Sequence, residues 1–162
     1  MTTLDLVIIF GVLLGVVVVL VVGVLRAPVM RLSSKEKEKI KQNGLIHFTK
    51  TEYIDSIQKN GLRGTISKMG FEPLLGNFVW LYLYEGQGSI SLKHQELKNT
   101  GDAKKDPTMY SACLHITGFS DADIKRMRIR KFPKRWGVIG DNAIVFKGKL
   151  LIPEHIRVVF KE

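Results

Sequence analysis

Cysteine is almost missing from this chain. Its one cysteine, Cys113, excludes an intrachain disulfide framework and any Cys-based zinc site. The thiol lies in the apolar run Ser111-Ala112-Cys113-Leu114-His115-Ile116, which predicts a buried structural role and not a nucleophile. Acidic residues are scarce as well, 15 against 25 lysines and arginines, so the formal charge is +10 at pH 7. Such an excess favours polyanionic partners over acidic surfaces of its own. There is no P-loop, no GxGxxG turn, no HExxH and no nucleophile elbow, which removes the common phosphate-cradle, metalloprotease and serine-hydrolase readings. The four histidines (His47, His94, His115 and His155) show no metal-ligand spacing, so no metal site is expected. No internal repeat or low-complexity segment is present, and 45% hydrophobic with 25% charged residues excludes global disorder. At 162 residues the chain holds one ordinary domain plus an appendage.

Charge is missing altogether from Leu6 to Leu25, LVIIFGVLLGVVVVLVVGVL, and Asp5 is the single charge in the first 25 residues. A helix of that length reaches about 30 Å, one hydrocarbon core, so the run predicts a retained transmembrane anchor contacting the lipid bilayer through residues 6–25. A cleavable signal peptide would have a basic start, a shorter apolar run and a small-x-small site, and none of these is present. Cations follow the span and none precede it (Arg26, Arg31, Lys35, Lys37), which places the N-terminus outside and the remainder in the cytoplasm. Gly11 and Gly15 form a small-xxx-small pair, the spacing of a helix-dimer contact and thus of a homodimer. The expected organisation is an anchor over 1–26, a basic juxtamembrane spacer helix over 27–43 and an α+β domain over 44–162.

Within that domain, Ser33 and Glu36 are spaced as a capping box for a helix running to about Gln42. Leu45-Ile46-His47-Phe48 predicts a strand. Thr49-Lys50-Thr51-Glu52 reads as a second capping box, opening a helix that Asn60-Gly61 stops. Phe78 to Tyr84, rich in aromatic and β-branched residues, predicts a buried strand, as do Met109 to Thr117, Asn142 to Phe146 and Ile156 to Phe160. A short helix is expected around Leu92 to Leu97 and a loop over Gly101 to Pro107. Ser120 caps a helix through Met127. Lys125 to Arg135 then packs seven cations into eleven residues, a basic face for phosphates of nucleic acid or anionic lipid, with Arg126, Arg128, Arg130, Lys134 and Arg135 as its contacts.

The order of these segments resembles the ADP-ribosyltransferase superfamily, whose RNA 2′-phosphotransferases and DNA-modifying toxins share it. The resemblance is carried by Leu45-Ile46-His47-Phe48-Thr49, by Ile54, Ile57 and Asn60-Gly61-Leu62, by Val79-Trp80-Leu81-Tyr82-Leu83, and by the closing pair Asn142 to Phe146 and Leu151 to Ile156. It implies a small split-sheet domain behind the anchor, binding NAD or a related nucleotide and transferring ADP-ribose to a nucleic-acid or protein acceptor, or acting as a 2′-phosphotransferase. It implies that His47 hydrogen-bonds the nicotinamide-side ribose and that Thr49 contacts the nucleotide. Tyr82, with Trp80 and Tyr84 as alternates, would stack on nicotinamide. Asn142 falls where the family has its catalytic glutamate. Asp141 is one residue away and reaches the same side only through a bulge at Gly140-Asp141. Two rival readings follow from that departure: a domain without chemistry that binds polyanions, and a membrane-resident protein-interaction or immunity-type module.

Overall fold

The computed structural model describes residue 5 and residues 8–15, 29–64, 78–130, 143–150 and 155–162. Seven strands form one antiparallel sheet: β1 (Val29–Arg31), β2 (Leu45–Thr49), β4 (Phe78–Leu83), β5 (Ala112–Ile116), β6 (Arg128–Arg130), β7 (Ala143–Lys147) and β9 (Ile156–Lys161), in the order β1-β6-β7-β4-β2-β5-β9. A separate two-stranded ribbon pairs β3 (Leu62–Arg63) with β8 (Lys149–Leu150). The helices are α1 (described over residues 8–15), α2 (Ser34–Asn43), α3 (Ile54–Asn60), α4 (Gln87–Lys98), α5 (Gly101–Lys105) and α6 (Asp121–Arg126).

Alternation along the strands sorts side chains to two faces of the sheet. One face sends Leu45, Val79, Leu81, Leu114, Ile129, Ile144 and Phe146 into a core completed by Ile40 of α2, Ile54 and Ile57 of α3 and Ile124 of α6. The other carries Ile46, Phe48 and Cys113, covered by Ile90 and Leu97 of α4. With both faces covered, the central strands are apolar at nearly every position instead of alternating with polar residues.

The transmembrane helix expected over residues 6–25 is not found. Among the described residues no helix is long and apolar enough to cross a membrane. At this place α1 is described over residues 8–15. The rest of the apolar run lies outside the described residues. The architecture described is a mixed helix-and-sheet fold with a large antiparallel sheet.

Local signals near the site hold in part. Ser33 and Glu36 form a full capping box on α2. Gly61 ends α3 at φ 79° with its N–H on the Ile57 carbonyl. The second capping box does not form. Thr49 is the buried last residue of β2, and α3 is preceded by a 3₁₀ turn over Thr51–Tyr53 whose N-cap residue, Lys50, makes no side-chain capping bond. Strand pairing holds the residue the box would have used as its cap: Thr49 is opposite Ala112 of β5, and the Thr51 hydroxyl next to it lies 3.1 Å from Ser111 Oγ and 3.2 Å from the carbonyl oxygen of Glu162. The helix expected around Leu92 to Leu97 extends over all of Gln87–Lys98, because Ile90 and Leu97 lie on one buried stripe. A short helix, α5, occupies most of the expected loop.

Candidate functional site

The sheet is weakest at its middle. β2 pairs with β5 along all five of its residues, and β4 pairs with β7 over Phe78–Leu81, but β2 and β4 meet only at Leu45↔Leu83 and Ile46↔Tyr82. Continuing that register would oppose Phe48 to Trp80. In an antiparallel ladder alternate residues turn their carbonyls to the same neighbour, so the Trp80 carbonyl, two residues before Tyr82, points toward β2. Its partner is a side chain: His47 Nδ1 lies 2.8 Å from the Trp80 oxygen. The imidazole is wedged into the fork where the two strands part and takes over one position of the ladder.

That contact decides the chemistry of His47. A carbonyl only accepts, so Nδ1 carries the proton and Nε2 holds a lone pair. Burial pushes the imidazole pKa below its ordinary value, outweighing the Trp80 carbonyl, which favours the protonated ring. His47 is therefore neutral at pH 7. Among the described residues Nε2 makes no hydrogen bond. The arrangement is a fixed acceptor beside a gap in the backbone ladder, suited to a ligand hydroxyl or amide donor.

The structure separates several residues that the resemblance groups together. Tyr82 is directly opposite Ile46 and shares its face, so the neighbouring His47 points to the other side of the sheet. Tyr82 packs edge-on against Phe48, ring centroids 6.1 Å apart, on the face covered by α4. Trp80 and Tyr84 fall on that face by the same alternation. Thr49 faces the same way as His47 and is buried opposite Ala112. Asn142 and Asp141 lie outside the described residues. The strand that follows them, β7, is the neighbour of β4.

The basic run is likewise divided. Arg126 lies over the Phe146 ring, 4.5 Å from its centroid, on the α6 face. Arg128 Nη1 donates to the carbonyls of Lys125 and Met127 at 2.7 and 2.8 Å, closing the end of α6. Arg130 is 3% exposed and lies over the Trp80 ring on the opposite face. Arg126 is exposed, Arg128 half-buried and Arg130 buried on the opposite face, so the three do not form one open surface. Lys134 and Arg135 lie outside the described residues. Gly11 and Gly15 are one turn apart on α1 with open space around them. Cys113 is fully buried, and burial pushes its thiol up to about 12. Among the described residues no three His, Cys, Asp or Glu side chains gather as metal ligands.

Sequence reasoning missed a second aromatic feature. Trp80 and Tyr82 of β4 and Tyr84 just past its end form a stripe, each ring facing a nitrogenous side chain: Arg130 over Trp80, buried Lys93 at 5.1 Å over Tyr82, and His115 at 4.3 Å from Tyr84. The period-two placement of the three aromatics was a readable signal that they share one face. A search of family models, of curated proteins and of solved structures finds no match to this chain.

Proposed function

We propose that the domain binds NAD or a related nucleotide at the β2–β4 fork, with His47 Nε2 accepting a hydrogen bond from a ribose hydroxyl. The observation that carries the reading is the His47–Trp80 contact: it fixes the tautomer, aims one acceptor, and does so on the strand whose residues carry the resemblance to ADP-ribosyltransferases. The fit is to the ribose and not to a stacked nicotinamide on Tyr82, since that ring lies on the far face of the sheet. What the chain contributes here is recognition. Transfer to a nucleic-acid or protein acceptor would need charge stabilisation at the ribose, and the neutral amide of Asn142 supplies less of it than a carboxylate would.

The test is calorimetric titration of the full chain with NAD, beside His47→Ala and His47→Gln, with nicotinamide release measured in parallel. A hydrogen bond to a neutral acceptor contributes about 1–1.5 kcal/mol, so His47→Ala should weaken NAD about tenfold. Equal affinity in a folded His47→Ala protein, or no heat with the unsubstituted chain, overturns the reading.

A further inference from the structure

The β3–β8 ribbon sets two cations face to face. Leu62 and Leu150 oppose each other and are buried, while their neighbours Arg63 and Lys149 oppose each other and are exposed. The Gly64 N–H donates to the Gly148 carbonyl at 3.0 Å and closes the ribbon beside them. Lys147, also exposed, precedes Lys149 by two residues, and Gly148 at φ 91° turns the chain between them. Like charges directly opposite on paired strands repel, so this arrangement costs stability.

Some lysines elsewhere are neutralised, while others, Lys35, Lys37, Lys59 and Lys125 included, are exposed without a carboxylate partner among the described residues. Lys39, Lys41, Lys50 and Lys98 each hold a carboxylate oxygen at 2.6–2.8 Å. Among the described residues Arg63, Lys147 and Lys149 have no such partner. A repulsive pair, Arg63 opposite Lys149, with Lys147 two residues before it, is an arrangement an anionic ligand would relieve.

We propose that this corner is a binding surface for the phosphates of a single-stranded nucleic acid. Two cations on the ribbon and a third, Lys147, at the end of β7 can contact phosphates of one strand, and the ribbon is too short to fill a duplex groove. A lipid surface fits less well. Membrane docking gains from apolar side chains beside the cations. Among the described residues the exposed large hydrophobics lie on α1, β1, Tyr53 and Leu92 and not on β3, β7 or β8, whose leucines point inward. This inference is independent of the NAD reading.

The experiment is fluorescence anisotropy of a labelled oligothymidylate titrated with the full chain in non-ionic detergent, from about 50 to 200 mM KCl. Each neutralised phosphate of a single strand adds about 0.7 to the salt exponent, so Arg63→Gln/Lys149→Gln should lower it by about 1.4. Over that fourfold salt range the salt-dependent loss of affinity then shrinks about sevenfold. Lys35→Gln/Lys37→Gln, the same charge change on α2, should leave the exponent within about 0.3 of the starting chain. Because the opposed pair repels, the corner variant should melt no lower than the starting chain and up to about 4 °C higher. A merely structural pair would melt lower. An unchanged exponent, a lowered melting temperature, or loss of binding to phosphatidylserine vesicles with oligonucleotide binding intact overturns the proposal. NAD affinity of the corner variant, and oligonucleotide binding of His47→Ala, separate its failure from that of the nucleotide site.

Discussion

Gly44 joins α2 to β2, three residues before His47, and adding a single methyl group there tests the packing of the whole site. Its backbone, φ 76° and ψ −168°, lies in a region that only glycine occupies readily, at a cost of about 1–3 kcal/mol for other residues. A Cβ built at Gly44 would lie 2.4 Å from the Ile116 carbonyl oxygen and 2.8 Å from Thr117 Cγ2. The first neighbour is backbone of the adjoining strand and cannot swing away. β2 must therefore move off β5, which adds about 1–3 kcal/mol of overpacking. Gly86 is the internal control: φ 100° and ψ 172° place it in the same backbone region, but nothing lies within 4 Å of its Cβ position. Gly86→Ala should cost only the backbone strain, about 1–3 kcal/mol, and Gly44→Ala about 2–6 kcal/mol, a large share of a typical domain stability of about 5–15 kcal/mol. Urea unfolding followed by circular dichroism measures both. Equal losses in the two variants would refute the steric argument. A Gly44→Ala protein that stays folded should also bind NAD more weakly, because the displaced strand carries His47.

Three further predictions follow from His47 and Cys113. Below the unfolded-state value of about 6.5, the unfolded chain takes up a proton that His47 in the fold refuses. Stability should therefore fall by up to about 1.4 kcal/mol per pH unit as pH drops through that value, and His47→Gln should lose this part of the slope in urea titrations between pH 8 and 5. NAD affinity, which uses the neutral ring, should stay flat from pH 8 to 6.5, and a midpoint above 6.5 in calorimetry would contradict the lowered pKa. Cys113, fully buried with its thiol pushed up to about 12, should react with an aromatic disulfide reagent only as fast as the protein opens. Rapid labelling of the native protein would show that the core between β2 and α4 is open.

What the chain determines by itself is local, because the forces involved act within a few residues. The Ser33–Glu36 box, the glycine stop at Gly61, the cap at Ser120 and the apolar strands at 45–49, 112–116 and 156–161 depend on neighbours three or four positions away, and all are legible in order. The capping box expected at Thr49–Glu52 fails because Thr49 is held in β2 opposite Ala112, a residue distant in sequence. Composition suggested a membrane span over residues 6–25, and among the described residues no helix is long and apolar enough to be one. His47 could be singled out from its strand, but its protonated nitrogen is assigned by a carbonyl 33 residues away. The separation of His47 from Tyr82 likewise depends on which residue Tyr82 opposes. Arg63 and Lys149 are 86 positions apart, and only strand register makes them neighbours. Register is set when distant strands align their apolar faces over a shared core, and one residue of slip reverses every side chain. Which side chains face one another is therefore a property of the packed sheet.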